Sequence, residues 1–203
     1  MTLVKICGVV DPENARLAVE MGADFLGLNF YPRSPRFVEV ERAREIASAV
    51  RDLPVRLVGV FVNRPAREIE EIESEVGLDL IQLSGDEAAA PFVGRTIKAF
   101  RGTDGTDGWE DAWAWLFDAP HASLYGGTGT PWNFQSVAGI GGERRVFVAG
   151  GIGPGNVRQA IAASRPFAVD VCSRVESAPG IKNPELLLRL FEEVRNAQSQ
   201  TPP

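Results

Sequence analysis

Short apolar runs of five to seven residues alternate along this chain with longer stretches whose apolar positions recur every three or four residues. The runs predict strands over Leu3–Cys7, Asp24–Phe30, Arg56–Val62, Leu78–Leu83, Thr96–Phe100, Ala114–Asp118, Arg145–Ala149 and Phe167–Val171. The stretches predict helices near Pro12–Met21, Glu39–Arg51, Pro65–Val76, Glu87–Val93, Trp109–Trp113, Phe134–Gly139, Gly155–Ala163 and Pro184–Ala197, the fifth and sixth weakly signalled. Asp11-Pro12-Glu13 and Asn183-Pro184-Glu185 each offer an N-cap acceptor, a proline at the first helical position and an acid in the first turn. Gly22 and Gly77 suit the left-handed residue that ends a helix. Alternating strand and helix implies parallel strands, and eight such units in 203 residues predict a small α/β fold, the (β/α)8 TIM barrel. An open doubly wound sheet is the runner-up, but the glycine-rich turn it needs after its first strand is absent. No linker or shift in composition interrupts the pattern. Residues 1–203 therefore read as a single barrel domain with a short polar tail at 198–203.

Composition narrows the function classes. The chain is 44% hydrophobic and 24% charged, as ordinary globular proteins are. No apolar run approaches the roughly 20 residues of a membrane helix, and the N-terminus lacks the features of a secretory signal. Cys7 and Cys172 make no disulfide framework, which fits a reducing compartment, and neither thiol has an evident partner. A cytoplasmic location follows as the expectation. A net charge of −6 without a basic run argues against nucleic acid or an anionic membrane as the main partner. An anionic substrate must then meet local positive charge. His121 is the only histidine and the cysteines lack ligand spacing, so no metal is expected.

A (β/α)8 barrel places its chemistry at the C-terminal ends of its strands. The residues there are Cys7, Asn29, Asn63, Gln82 with Ser84, Arg101, Asp118, Gly150 with Gly151, and Asp170. Asn63 and Arg101 read as caps or turn formers. The outer face of a barrel strand packs on helices and should be apolar, so Lys5 and Cys7 point inward, as does Asp170 on the last strand. First and last strands are neighbours in a closed barrel. An ion pair between Lys5 and Asp170 below Cys7 follows, because an unpartnered buried charge is costly. Cys7 by itself reads either as an inert small hydrophobe or as a thiol that Lys5 disposes toward the thiolate. Asp118 follows Trp115-Leu116-Phe117 and reads as an acid kept protonated by poor solvation, or as a cap. Tyr125-Gly126-Gly127-Thr128-Gly129 can bring backbone amides to a phosphate or act as a lid. Gly150-Gly151-Ile152 and Cys172-Ser173-Arg174 follow the last two strands, where barrels bind phosphate, and together favour phosphate over simple turns. In Pro32-Arg33-Ser34-Pro35-Arg36, Arg36 offers a fork to a carboxylate, whereas Arg33 suits an exposed position. His121 reads as a loop residue beside Asp118.

Taken together these residues resemble the phosphoribosylanthranilate isomerases, (β/α)8 barrel enzymes of tryptophan biosynthesis. The matching pieces are Val4-Lys5-Ile6-Cys7-Gly8, Ser34-Pro35-Arg36, Gly59-Val60-Phe61, Gln82-Leu83-Ser84-Gly85-Asp86-Glu87, Phe117-Asp118, Gly126-Gly127-Thr128-Gly129, Ala149-Gly150-Gly151-Ile152, Asp170-Val171, Val175-Glu176 and Pro179-Gly180-Ile181-Lys182. The resemblance implies an isomerase that needs no cofactor. It would carry out the Amadori rearrangement of N-(5-phosphoribosyl)anthranilate to 1-(2-carboxyphenylamino)-1-deoxyribulose 5-phosphate. It further implies Cys7 as general base, Asp118 as general acid, Arg36 on the anthranilate carboxylate, and Gly127, Gly150, Gly151 and Ser173 around the phosphate. Lys5 and Asp170 would support the base. The implied partner is a small phosphosugar, and the implied state a monomer or homodimer. The chain departs from the family at Ser84, where histidine is usual, and at Trp132-Asn133-Phe134, where Phe-Asp-Trp is usual. It departs again at Cys172-Ser173-Arg174, where Ser-Ser-Gly is usual. A related barrel type acting on the histidine-pathway aminoaldose normally has an aspartate on the first strand, and Cys7 disfavours it. A non-catalytic phosphate-binding barrel would have no reason to keep both Cys7 and Asp118.

Overall fold

Eight parallel strands close into a barrel in strict chain order, from β1 to β8. The structure, a computed structural model, describes residues 1–88, 92–119, 133–140 and 142–199. The strands are β1 (Leu3–Cys7), β2 (Phe25–Asn29), β3 (Arg56–Phe61), β4 (Leu80–Leu83), β5 (Thr96–Arg101), β6 (Ala114–Asp118), β7 (Val146–Val148) and β8 (Ala168–Val171). Each lies within a residue or two of the run that predicts it. The barrel closes where β1 meets β8, with Lys5 opposite Asp170 and Ile6 opposite Val171.

Five of the eight predicted helices form among the described residues: α1 (Pro12–Met21), α2 (Val40–Val50), α3 (Ala66–Val76), α4 (Val157–Ser164) and α5 (Pro184–Ser199). The strongest terminal signals hold. Asp11 accepts from the Asn14 amide at 2.8 Å, Asn183 accepts from the Leu186 amide at 3.0 Å, and Gly22 ends α1 in the left-handed region. α5 runs to Ser199, two residues into the expected tail, and 200–203 lie outside the described residues.

The other three predicted helices do not form as α-helices among the described residues. Within Glu87–Val93 the described residues carry no helix. Trp109–Trp113 makes only turns, since five residues are too few to repay helix nucleation. Trp109 nevertheless fills the place of a helix. It is buried, its carbonyl accepts from the Trp115 indole at 2.9 Å, and the Lys98 ammonium lies 4.8 Å from its ring centre. Phe134–Val137 is a single 3-10 turn capped by Asn133. An unpredicted hairpin, β9 (Glu176–Ala178) with β10 (Ile181–Lys182), follows β8.

Side-chain alternation divides the core in two. Outward residues such as Ile6, Leu26 and Ile81 pack with the helices through Ile46, Ile72 and Leu190. Inward residues Phe25, Leu80, Ile97 and Phe147 fill the barrel, with Phe25 and Phe147 edge to face at 5.3 Å. Each such side chain contributes about 1.5–3 kcal/mol by leaving water. This plug fills the N-terminal part of the barrel and leaves the strand C-termini open for chemistry. No helix among the described residues is long and apolar enough to cross a membrane.

Candidate active site

Above the plug the barrel interior turns polar. Lys5 is fully buried, and its Nζ lies 2.9 Å from Asp170 Oδ1, as the alternation argument requires. Burial pushes the Lys5 ammonium down. The charge of Asp170 and the nearby Cys7 overcome that and raise it above the ordinary lysine range.

One turn of the alternation higher, Cys7 lines a cavity of about 340 Å3 at the strand ends. Asp118, at the end of β6, lines the same cavity. The Oδ1 atom of Asp118 accepts from the Ala119 amide at 2.8 Å. Arg36, Asp170, Asn29, Gln82 and Ser84 line it as well. Glycine at position 27 makes room for the thiol, because a Cβ there would sit 2.7 Å from Cys7 Sγ and 3.1 Å from its Cα.

The thiol is perturbed. A hydrogen bond with Cys172 lowers the Cys7 pKa most, burial opposes it, and the charge of Lys5 lowers it further, to about 7. The same hydrogen bond, followed by burial, raises Cys172 well above the ordinary thiol range. Both cysteines are free, as expected, but Cys172 lines the same cavity as Cys7. The signal was present in the sequence: if Asp170 points inward on β8, so does Cys172 two residues on.

Arg36 packs its stem on Gly8, which has φ +70, and turns its guanidinium to Glu176. Nε lies 3.0 Å from Glu176 Oε1 and Nη2 lies 2.7 Å from Oε2. Glu176 also takes the buried Lys182 ammonium at 2.7 Å, and that ammonium donates to the Cys7 carbonyl at 2.5 Å. Burial pushes Glu176 up, but the Arg36 hydrogen bond and the Lys182 charge win and leave it lowered. Among the described residues, the Nη1 edge of Arg36 carries no protein hydrogen bond.

The glycines expected around a phosphate stand apart from this cavity. Gly150 and Gly151, both at positive φ, follow β7, and Ser173 opens a 3-10 turn after β8. None of the three lines the cavity. Arg174 is exposed and sets the base of its side chain, Cβ and Cγ, against Gly153 of the loop after β7. Gly127 and His121 lie outside the described residues. Asn63 is the turn former expected of it, with φ 50 and Oδ1 accepting from the Asp86 amide at 2.7 Å. Arg33 is exposed, as expected of it, and also borders the cavity, while Arg101, expected to serve as a turn former, is the last residue of β5 and lines the cavity. Arg101 does so because Ile97 and Ala99 set its strand alternation inward.

A closed parallel barrel with an acid and a perturbed thiol in one cavity at its strand ends defines a (β/α)8-barrel enzyme. The N-(5'phosphoribosyl)anthranilate (PRA) isomerase family matches residues 4–193, and the chain belongs to that family. The N-(5'-phosphoribosyl)anthranilate isomerase of Citrifermentans bemidjiense is 42% identical over 205 residues, covering 96% of this chain and 98% of its own. The crystal structure of phosphoribosyl anthranilate isomerase from Thermus thermophilus superposes with a TM-score of 0.84 at 34% identity, covering 96% and 99%. A further phosphoribosyl anthranilate isomerase structure, in complex with reduced 1-(o-carboxyphenylamino)-1-deoxyribulose 5-phosphate, gives a TM-score of 0.78 at 33% identity, covering 97% and 100%.

Proposed function

We infer that this chain isomerises N-(5-phosphoribosyl)anthranilate to 1-(2-carboxyphenylamino)-1-deoxyribulose 5-phosphate in tryptophan biosynthesis, with Cys7 and Asp118 exchanging the protons. Family membership supports the reaction, and the cavity that Cys7 and Asp118 both line carries the assignment of roles. Asp118 protonates the furanose ring oxygen, and the ring opens to a Schiff base. The positive nitrogen acidifies C2, and the Cys7 thiolate removes that proton to give an enolamine, which tautomerises to the ketone. Acid and base must hold opposite protonation states at one pH, and the lowered thiol meets that need at neutrality.

Binding follows from the charges around the cavity. The anthranilate carboxylate takes the Nη1 edge of Arg36 while Glu176 holds the other edge still. Gln82 Oε1 is buried and has no hydrogen-bond partner among the described residues, so it accepts from a sugar hydroxyl. Gly127, Gly150, Gly151 and Ser173 take the phosphate, and Arg174 adds the cation that the family's usual glycine lacks. The enzyme so assigned is cytoplasmic, a single barrel domain, monomeric or homodimeric, and binds a small phosphosugar.

A steady-state assay on the anthranilate substrate tests the reaction, and absence of turnover by the folded protein overturns it. Two further results are expected. Arg36→Lys keeps the charge and loses the fork, removing charged hydrogen bonds of about 1.5–3 kcal/mol, so KM should rise about 10–100-fold with kcat largely kept. An unchanged KM would remove Arg36 from carboxylate binding. Gly27→Ala should push the Cys7 sulfur off its position, and a displacement of about 1 Å costs on the order of 10²-fold in kcat. Wild-type kcat in that variant would show that the placement of the thiol is not critical.

A further inference from the structure

We propose that Cys7 and Cys172 form a modification site, a dithiol that hydroperoxides convert to an intramolecular disulfide and thiol reductants restore. Three observations carry it. The β1–β8 register pairs Lys5 with Asp170 and Ile6 with Val171, and one residue further on Cys172, just past the end of β8, follows beside Cys7. Neighbouring strands hold paired Cα atoms about 4.8 Å apart, inside the window of about 4.4–6.8 Å that a disulfide spans. The sulfurs lie on the same side of the barrel: both cysteines line one cavity, and a Cβ on Gly8, next to Cys7, would sit 3.2 Å from Cys172 Sγ. Both residues are half-buried and line the cavity, so an oxidant small enough to enter the site reaches them.

The surroundings favour oxidation of Cys7 first. Lys5 lies below it and favours its thiolate, the form that attacks peroxide. Cys172 Sγ donates to Glu176 Oε1 at 3.9 Å, and the neighbouring Cys7 and burial work against a second anion there, although Lys182 and Arg36 partly offset them. The Cys7 thiolate attacks one oxygen of hydrogen peroxide. The O–O bond breaks, hydroxide leaves, and Cys7 becomes a sulfenic acid. The Cys172 sulfur then attacks the Cys7 sulfur. The S–S bond forms, the S–O bond breaks, and hydroxide leaves with the Cys172 proton as water. In sum, two thiols and one peroxide give one disulfide and two waters. A dithiol reductant reverses the bond by exchange and is itself oxidised to a cyclic disulfide.

The effect on activity rests on Cys7 being the general base, but the bond itself does not. The wild-type enzyme is treated with hydrogen peroxide and read by intact mass, thiol titration and turnover. The expected result is loss of two hydrogens, disappearance of both titratable thiols, and a fall in activity on the order of 10²-fold or more, the scale of a lost base. Dithiothreitol should then restore all three. Cys172→Ser, and Cys172→Ala as a second variant, should instead gain oxygen at Cys7, pass to the sulfinic acid and stay inactive after dithiothreitol, each measured against its own untreated activity. Oxygen gain without loss of two hydrogens in the wild type overturns the proposal, and so does full recovery of a folded Cys172 variant. If both variants fail to fold, the wild-type mass decides alone. A disulfide mass with undiminished turnover would sink Cys7 as base and leave the modification standing.

Discussion

Replacing Cys7 by serine should lower kcat by about 10²–10⁴-fold, and Asp118→Asn should do the same, with both proteins folded. Proton transfer by a positioned side chain is worth about that much. Serine keeps the size and place of the thiol but cannot become an anion near neutral pH. Asparagine keeps the shape of aspartic acid but cannot give up a proton. The pH profile separates the two. In the wild type the thiol is lowered to about 7, so kcat/KM should fall as pH drops below about 7 and the thiolate takes up its proton. That limb should vanish in Cys7→Ser and persist in Asp118→Asn. Turnover near wild type in either variant would refute its assigned role.

Lys5→Met should cost about 3–5 kcal/mol of stability, the most of any single substitution at this site. It removes one partner of a buried pair and leaves the Asp170 carboxylate in the barrel interior with its ion pair broken. Denaturant unfolding should show the loss, and Lys5→Met with Asp170→Leu should recover much of it, because the double change removes the stranded charge. The single variant should also move the acid limb of kcat/KM to higher pH, since the cation favouring the Cys7 thiolate is gone. A single variant as stable as the wild type would mean that the pair contributes little to holding the barrel together.

The barrel was legible because its strands are continuous apolar runs with punctuated ends, and period 2 alternation placed Lys5, Cys7 and Asp170 on the inner face. The missing helices were less so. Glu87–Val93 has helical composition, yet Pro91 sits inside it, and Trp109–Trp113 is short enough for one buried tryptophan to replace a helix. At the site, the meeting of Cys7 with Asp118 followed from strand ends alone. What Arg36 touches did not, because Glu176 reaches it from a hairpin 140 residues away in sequence, and no local periodicity marks that hairpin. Cys172 is legible by alternation, two residues beyond the inward Asp170, whereas cysteine spacing carries no sign that it meets Cys7.

The seam between β1 and β8 has a consequence for how the molecule becomes competent. The proposed base, its thiol neighbour and the ion pair beneath them all straddle the joint between the first strand made and the last. The Lys182 that holds the Cys7 carbonyl comes later still. A nascent chain halted before β8 therefore carries Cys7 and Asp118 but no working site, and catalysis begins only when the two ends of the barrel meet.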